Sequence, residues 1–180
     1  MGYIFTSASL ALHFDTIILI GMVLAFLLNA FFYISDISKN LSLLLTSFLM
    51  AASYYTSNHF ITLGDDTTYI YLRWIAYDLF TVFAILMVNR LIRLKKCIAA
   101  KYVIFGLLAN ALLCLMIHID MRVLENQEPW WFWYFYTLSI NTIDVIMVAA
   151  LILDRDFLCV KFFKNRVKKY FSKRQKTISA

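Results

Sequence analysis

The 180-residue chain has one proline, four glycines and three cysteines, and only 16% of its residues are charged. Each shortage excludes something. With 62% hydrophobic residues and a mean hydropathy of +0.73, so few charges cannot cover a water-facing surface, and a soluble globular domain is excluded. Cys97, Cys114 and Cys159 show no paired spacing, so no disulfide framework is implied. Scarce glycine and proline remove the usual sign of the broken helices that build secondary-transporter sites. No HExxH, no GxSxG, no phosphate-binding glycine loop and no cysteine pair is present, so neither an enzyme nor a cofactor is expected.

What is abundant is apolar helix-forming sequence. About 20 apolar residues cross a bilayer as a helix. Five stretches meet that length: residues 14–35, 41–63, 69–91, 98–120 and 130–153. The second is the most polar, with Ser42, Thr46, Ser47, Ser53, Thr56 and Ser57, and a membrane-embedded hairpin is its alternative. The expected fold is all-α: a polytopic integral membrane protein of about five transmembrane helices in a bundle, with residues 154–180 as a basic amphipathic tail. No basic region precedes the first apolar run, so a cleaved signal segment is not expected.

Orientation follows from the basic residues, which are held on the cytoplasmic side. All but two of the 17 lysines and arginines, Arg73 and Arg122, fall on the side that carries the C-terminus in a five-span chain. The expected topology is therefore N-terminus outside and C-terminus inside. Trp130, Trp131 and Trp133 stand where an outer aromatic belt belongs.

Polar residues inside an apolar span face a partner, a cavity or the bundle interior. Asp78 and Asp144 are two such residues, joined by Asn29, Asn110 and Asn141. Helical spacing puts Tyr71, Trp74, Asp78 and Thr81 on one stripe, Gly106, Asn110, Cys114 and His118 on a second, and Trp130, Tyr134, Thr137, Asn141 and Asp144 on a third. At about 1.5 Å per residue, Asp78, Asn110 and Asn141 share a depth to within ~5 Å, and Asp144 lies about one turn further in. Two readings fit this layer: a proton or cation pathway, or interhelical hydrogen bonding that holds the bundle together.

The outer face gathers acid and imidazole groups: His59, Asp65, Asp66, His118 and Asp120, with His13, Asp15, Glu125 and Glu128 nearby. They are candidates for contact with an external ligand, although their spacing implies no metal site. The inner face gathers Arg90, Arg93, Lys95 and Lys96 from the third loop. Lys161, Lys164, Arg166, Lys168, Lys169, Lys173 and Arg174 follow in the tail, interleaved with Phe157, Phe162, Phe163, Tyr170 and Phe171. That pattern suits a helix lying on anionic headgroups, or a dock for an acidic cytosolic protein; direct nucleic-acid binding is not expected.

The functional expectation is a non-enzymatic, multi-pass membrane subunit of a bacterial inner membrane. It would sense or contact something outside and dock a partner inside, as in stress sensing, bacteriocin immunity or antiviral (phage) defence. The alternative is a small proton or cation channel passing the intramembrane carboxylates. Wide aromatic faces and carboxylates on two helices favour a homo-oligomer.

Overall fold

The computed structural model describes residues 2–61, 69–93, 97–126, 128 and 130–154, with side chains from residue 14 onward apart from residues 60 and 61. Five α-helices make up this region, and no strand occurs among the described residues. They are α1 (Gly2–Ile34), α2 (Leu41–Ile61), α3 (Ile70–Leu91), α4 (Ile98–His118) and α5 (Trp131–Leu153), with a π-helical turn, Ile119–Val123, following α4. Apart from the longer α1, the boundaries differ from the expected spans by two residues or fewer at each end.

Four helical stretches are long and apolar enough to cross a membrane: Phe14–Ile34, Ile70–Leu91, Ile98–Val123 and Trp131–Leu153. α2 matches their length, about 30 Å at 1.5 Å per residue, but falls short in hydropathy because hydroxyl residues interrupt it. The packing accounts for those hydroxyls. Thr46 donates to the carbonyl of Ser42 at 2.7 Å, Ser47 to that of Leu44 at 2.9 Å and Thr56 to that of Ala52 at 2.7 Å. Ser53 meets Thr81 of α3 at 2.5 Å, and Ser42 donates to Asn89 of α3 at 2.6 Å. A hydroxyl satisfied by its own helix or a neighbour can leave water at little cost.

The helices close a ring: α1 packs on α2, α2 on α3, α3 on α4, α4 on α5 and α5 back on α1. One wholly or almost wholly buried side chain from each fills the middle: Met22, Met50, Ile85, Leu107 and Met147, all 0–1% exposed. These form an apolar plug across the ring. The outside is also apolar, with Ile17, Leu24, Leu27 and Phe31 on α1, Phe80 and Phe83 on α3, Phe105 and Leu112 on α4, and Tyr134 and Leu138 on α5 all exposed. A surface of this kind suits lipid and not water. Among its described side chains, α2 shows only Phe48 and Tyr55 of its large apolar residues, which is the other face of its low hydropathy: most of its surface packs on its neighbours.

Two local features follow from the glycine shortage. Helix ends commonly use glycine in the left-handed region, but here Asp36, Arg93, Glu125 and Asp154 take positive φ values of 58°, 54°, 51° and 41°. The glycine at position 106 serves a different need. A Cβ there would lie 2.6 Å from Sδ of Met147 and 3.2 Å from Cγ2 of Ile143, so Gly106 permits the close approach of α4 and α5.

Candidate functional site

The plug divides the interior into two polar regions. The lower one lies at the end of the bundle where α5 finishes. There Asp154, left-handed at the end of α5, accepts at Oδ2 from Nδ2 of Asn40 (2.9 Å) and at Oδ1 from the backbone N–H of Ala99 (3.2 Å). A carboxylate at the start of α4 also complements that helix's dipole. Next to it, Cys97 caps α4 by accepting from the N–H of Ala100 at 3.3 Å, and burial pushes its thiol above the ordinary range, so the cap is neutral. Asn89 accepts from Ser42 and donates to the carbonyl of Ile85 at 2.8 Å, and Asn29 donates to the carbonyl of Leu151 at 3.0 Å. Every helix is tied into this clasp by a named hydrogen bond. A cavity of about 140 Å³ remains beside Asn29, Asn40 and Asp154.

The upper region is different. A cavity of about 380 Å³ lies in the ring above the plug, and all five helices line it. Its polar walls are Asp15 of α1, Tyr54 and Asn58 of α2, Asp78 of α3, Asn110 of α4 and Asp144 of α5. Between them stand Ile18, Leu19, Trp74, Tyr77 and Ile140. At the floor, Oδ1 of Asp144 accepts from Tyr54 Oη and from Asn110 Nδ2, both at 2.7 Å. Asp144 and Asn110 are buried. Asp78 shares the cavity, and among the described residues no hydrogen bond or ion pair ends on it. Among the described residues, the cavity thus has three carboxylates and no lysine, arginine or histidine.

Chemically, such a cavity asks for positive charge. Carboxylates that share a low-dielectric space repel one another and need protons or a cation to accompany them. Aromatic faces beside carboxylates suit an organic cation, and the volume falls in the range of small-molecule sites. Among the described residues no group of three His, Cys, Asp or Glu side chains is arranged to hold a metal ion.

Of the intramembrane residues singled out from the sequence, Asp78, Asn110 and Asp144 come together here. Asn29 lies in the clasp instead, below the plug. Asn141 donates to the carbonyl of Thr137 on its own helix at 2.8 Å, and the stripe of Tyr134 and Thr137 above it is exposed. The α5 stripe therefore divides: Asp144 points into the ring, while Tyr134, Thr137 and Asn141 do not. Tyr54 and Asn58 were not among the sequence candidates. Their spacing of four with Met50 marks one face of α2, but the many hydroxyls on that helix hide it.

The outer-face group does not assemble around one point. Asp120 accepts at Oδ2 from Nε1 of Trp133 (2.8 Å) and of Trp130 (3.0 Å), while its backbone carbonyl accepts from the N–H of Asn126. It organises the turn between α4 and α5. His118, two residues earlier, keeps a buried Nδ1 with no hydrogen-bond partner. His59 stacks on Tyr55 at 6.1 Å on the exposed end of α2, and Asp65 and Asp66 lie outside the described residues. At the lower end Arg90 and Arg93 are exposed. Lys95, Lys96 and the tail residues Lys161, Lys164, Arg166, Lys168, Lys169, Lys173 and Arg174 lie outside the described residues.

No protein-family model matches the chain, and no curated protein and no solved structure is significantly similar to it.

Proposed function

We propose that the protein is a non-enzymatic, multi-pass membrane protein that binds a small organic cation in the upper cavity. In this reading α2 is the fifth span, the upper end faces outward and the basic lower end faces the cytosol. The observation that carries it is the cavity lining: Asp15, Asp78 and Asp144 share about 380 Å³ with aromatic side chains and, among the described residues, no basic one. Among the described residues, Lys39, Arg90, Arg93 and Lys101 lie at the opposite end, which supports the orientation. They also give the protein a face that anionic lipid or an acidic cytosolic partner would recognise, so that ligand held above could be read below.

Binding is favoured over conduction by a specific feature. The plug of Met22, Met50, Ile85, Leu107 and Met147 closes the ring directly below the cavity, and an ion crossing it would lose its hydration without gaining a polar ligand. The cavity is consequently a blind site entered from one face.

The reading is tested on the full chain in lipid nanodiscs by thermal unfolding with three probes that share a phenylethyl body: 2-phenylethylammonium, neutral propylbenzene and anionic 3-phenylpropanoate. The expected result is a rise in unfolding temperature with the cation alone, saturating with concentration. Equal stabilisation by all three, or by none, would overturn it.

A further inference from the structure

Each of the five helices carries one asparagine. Asn29, Asn89 and Asn110 are buried, and Asn58 lines the upper cavity. Asn141 of α5 is the exception: it is only half-buried, and its neighbours on the helix surface, Thr137, Leu138 and Val145, are exposed. One N–H of its Nδ2 goes to the carbonyl of Thr137 at 2.8 Å. The other N–H and Oδ1 have no partner among the described residues, and Oδ1 is not buried. At about 1.5 Å per residue Asn141 stands ~15 Å from Trp131, at the middle of a hydrocarbon core about 30 Å thick. Lipid offers no hydrogen bond there, so an amide on the outer side is left with a donor and an acceptor to satisfy.

The residues around it form a seam. Tyr134, Leu138, Asn141 and Val145 follow one another at steps of four, three and four, the spacing of a coiled-coil face, and the three flanking the amide are 73%, 70% and 55% exposed. Exposed stripes on other helices, such as Ile17, Leu24 and Phe31 on α1 or Phe105 and Leu112 on α4, are apolar. Lipid solvates an apolar stripe as well as protein does, so those stripes call for no partner. Among the described residues, only the α5 stripe carries an amide at mid-depth.

We infer that the protein forms a two-fold homodimer in the membrane along Tyr134, Leu138, Asn141 and Val145, with the two Asn141 amides paired across the axis. Copies inserted with the same topology are related by rotation about the membrane normal, so each residue near the axis meets its counterpart at its own depth. A primary amide is complementary to itself: the free N–H of each donates to Oδ1 of the other. A second copy thus supplies donor and acceptor together at the depth where lipid supplies neither. Asn141 lies outside the lining of the upper cavity, so the inference does not depend on what that cavity binds.

The experiment counts subunits by stepwise photobleaching of the singly labelled full chain, diluted in lipid vesicles. Two steps are expected. Asn141→Leu should weaken dimerisation at least tenfold with unchanged helical circular dichroism, and Asn141→Gln, which keeps the amide, should retain it. The face is read by oxidative cross-linking in a Cys159→Ser background, where the remaining thiols, Cys97 and Cys114, are buried. Leu138→Cys and Val145→Cys should each give a covalent dimer, whereas Phe80→Cys, equally exposed on α3, should not. Should Asn141→Leu not fold, this cross-linking pattern, measured with the native amide in place, decides alone. A monomer, a higher oligomer, a dimer cross-linked through Phe80→Cys and not through the α5 positions, or undiminished dimerisation of a folded Asn141→Leu would each overturn the inference.

Discussion

The two polar regions on either side of the plug are built from the same residue types and end in different states. In the lower clasp, Asn29, Asn40, Ser42, Asn89 and Asp154 all have partners, and those partners belong to other helices or to helix ends. In the upper cavity, Oδ1 of Asp144 accepts two hydrogen bonds, Asn110 Oδ1 has no partner, and among the described residues no hydrogen bond ends on the half-buried Asp78. A satisfied polar group holds helices together; an unsatisfied one in a cavity is held ready for something else. On the proposed reading, the groups below the plug serve structure and those above it serve recognition.

Three substitutions sharpen or break that contrast. The largest effect is expected at the plug itself. Gly106→Val places a branched side chain where even a Cβ would stand 2.6 Å from Met147, so the buried Met147 must be displaced or α4 and α5 must move apart. A loss of about 3 kcal/mol, the upper part of the usual cost of overpacking, should appear as a large fall in unfolding temperature or as loss of the monodisperse species. An unchanged unfolding temperature would mean that the two helices are not in this close contact.

Next in size is Asn89→Ala in the clasp. It strands Ser42, whose hydroxyl donates to Asn89 at 2.6 Å in a buried position. The expected loss is about 2 kcal/mol, within the range for an orphaned buried donor, read by the same unfolding measurement. If it proves silent, the clasp is not what ties α2 to α3. The smallest effect is expected above the plug, where Asp78→Asn should change ligand-free stability by less than about 0.5 kcal/mol, because no protein partner is lost. A substantial loss there would show that Asp78 is structural, and the difference between the two regions would vanish.

The legibility of these features in the sequence follows the physics of each. Helix number and boundaries could be read because apolar length and bilayer thickness fix them nearly alone, as the agreement at 98 and at 153 illustrates. α2 was readable as a helix, while its hydropathy left open what surrounded it. Only its packing against α1 and α3, and the pairing of Ser42 and Ser53, answer that. Asp78, Asn110 and Asp144 were visible because carboxylates and amides in apolar spans are conspicuous. Tyr54 and Asp154 were not, since a tyrosine near a serine-rich stretch and an aspartate at a helix end are ordinary in sequence. Asp120 shows the reverse case: a plausible ligand by composition, it is occupied by two indoles.

By itself, then, the sequence determined that the chain is a set of apolar helices, because transfer of side chains out of water depends on composition and period. The tertiary structure decided which polar groups meet. Azimuth around a helix changes by about 100° per residue, so the rotation that sends Asn141 to its own backbone and Asp144 into the ring is set by packing against Gly106, Met147 and their neighbours and by nothing local to the residues themselves.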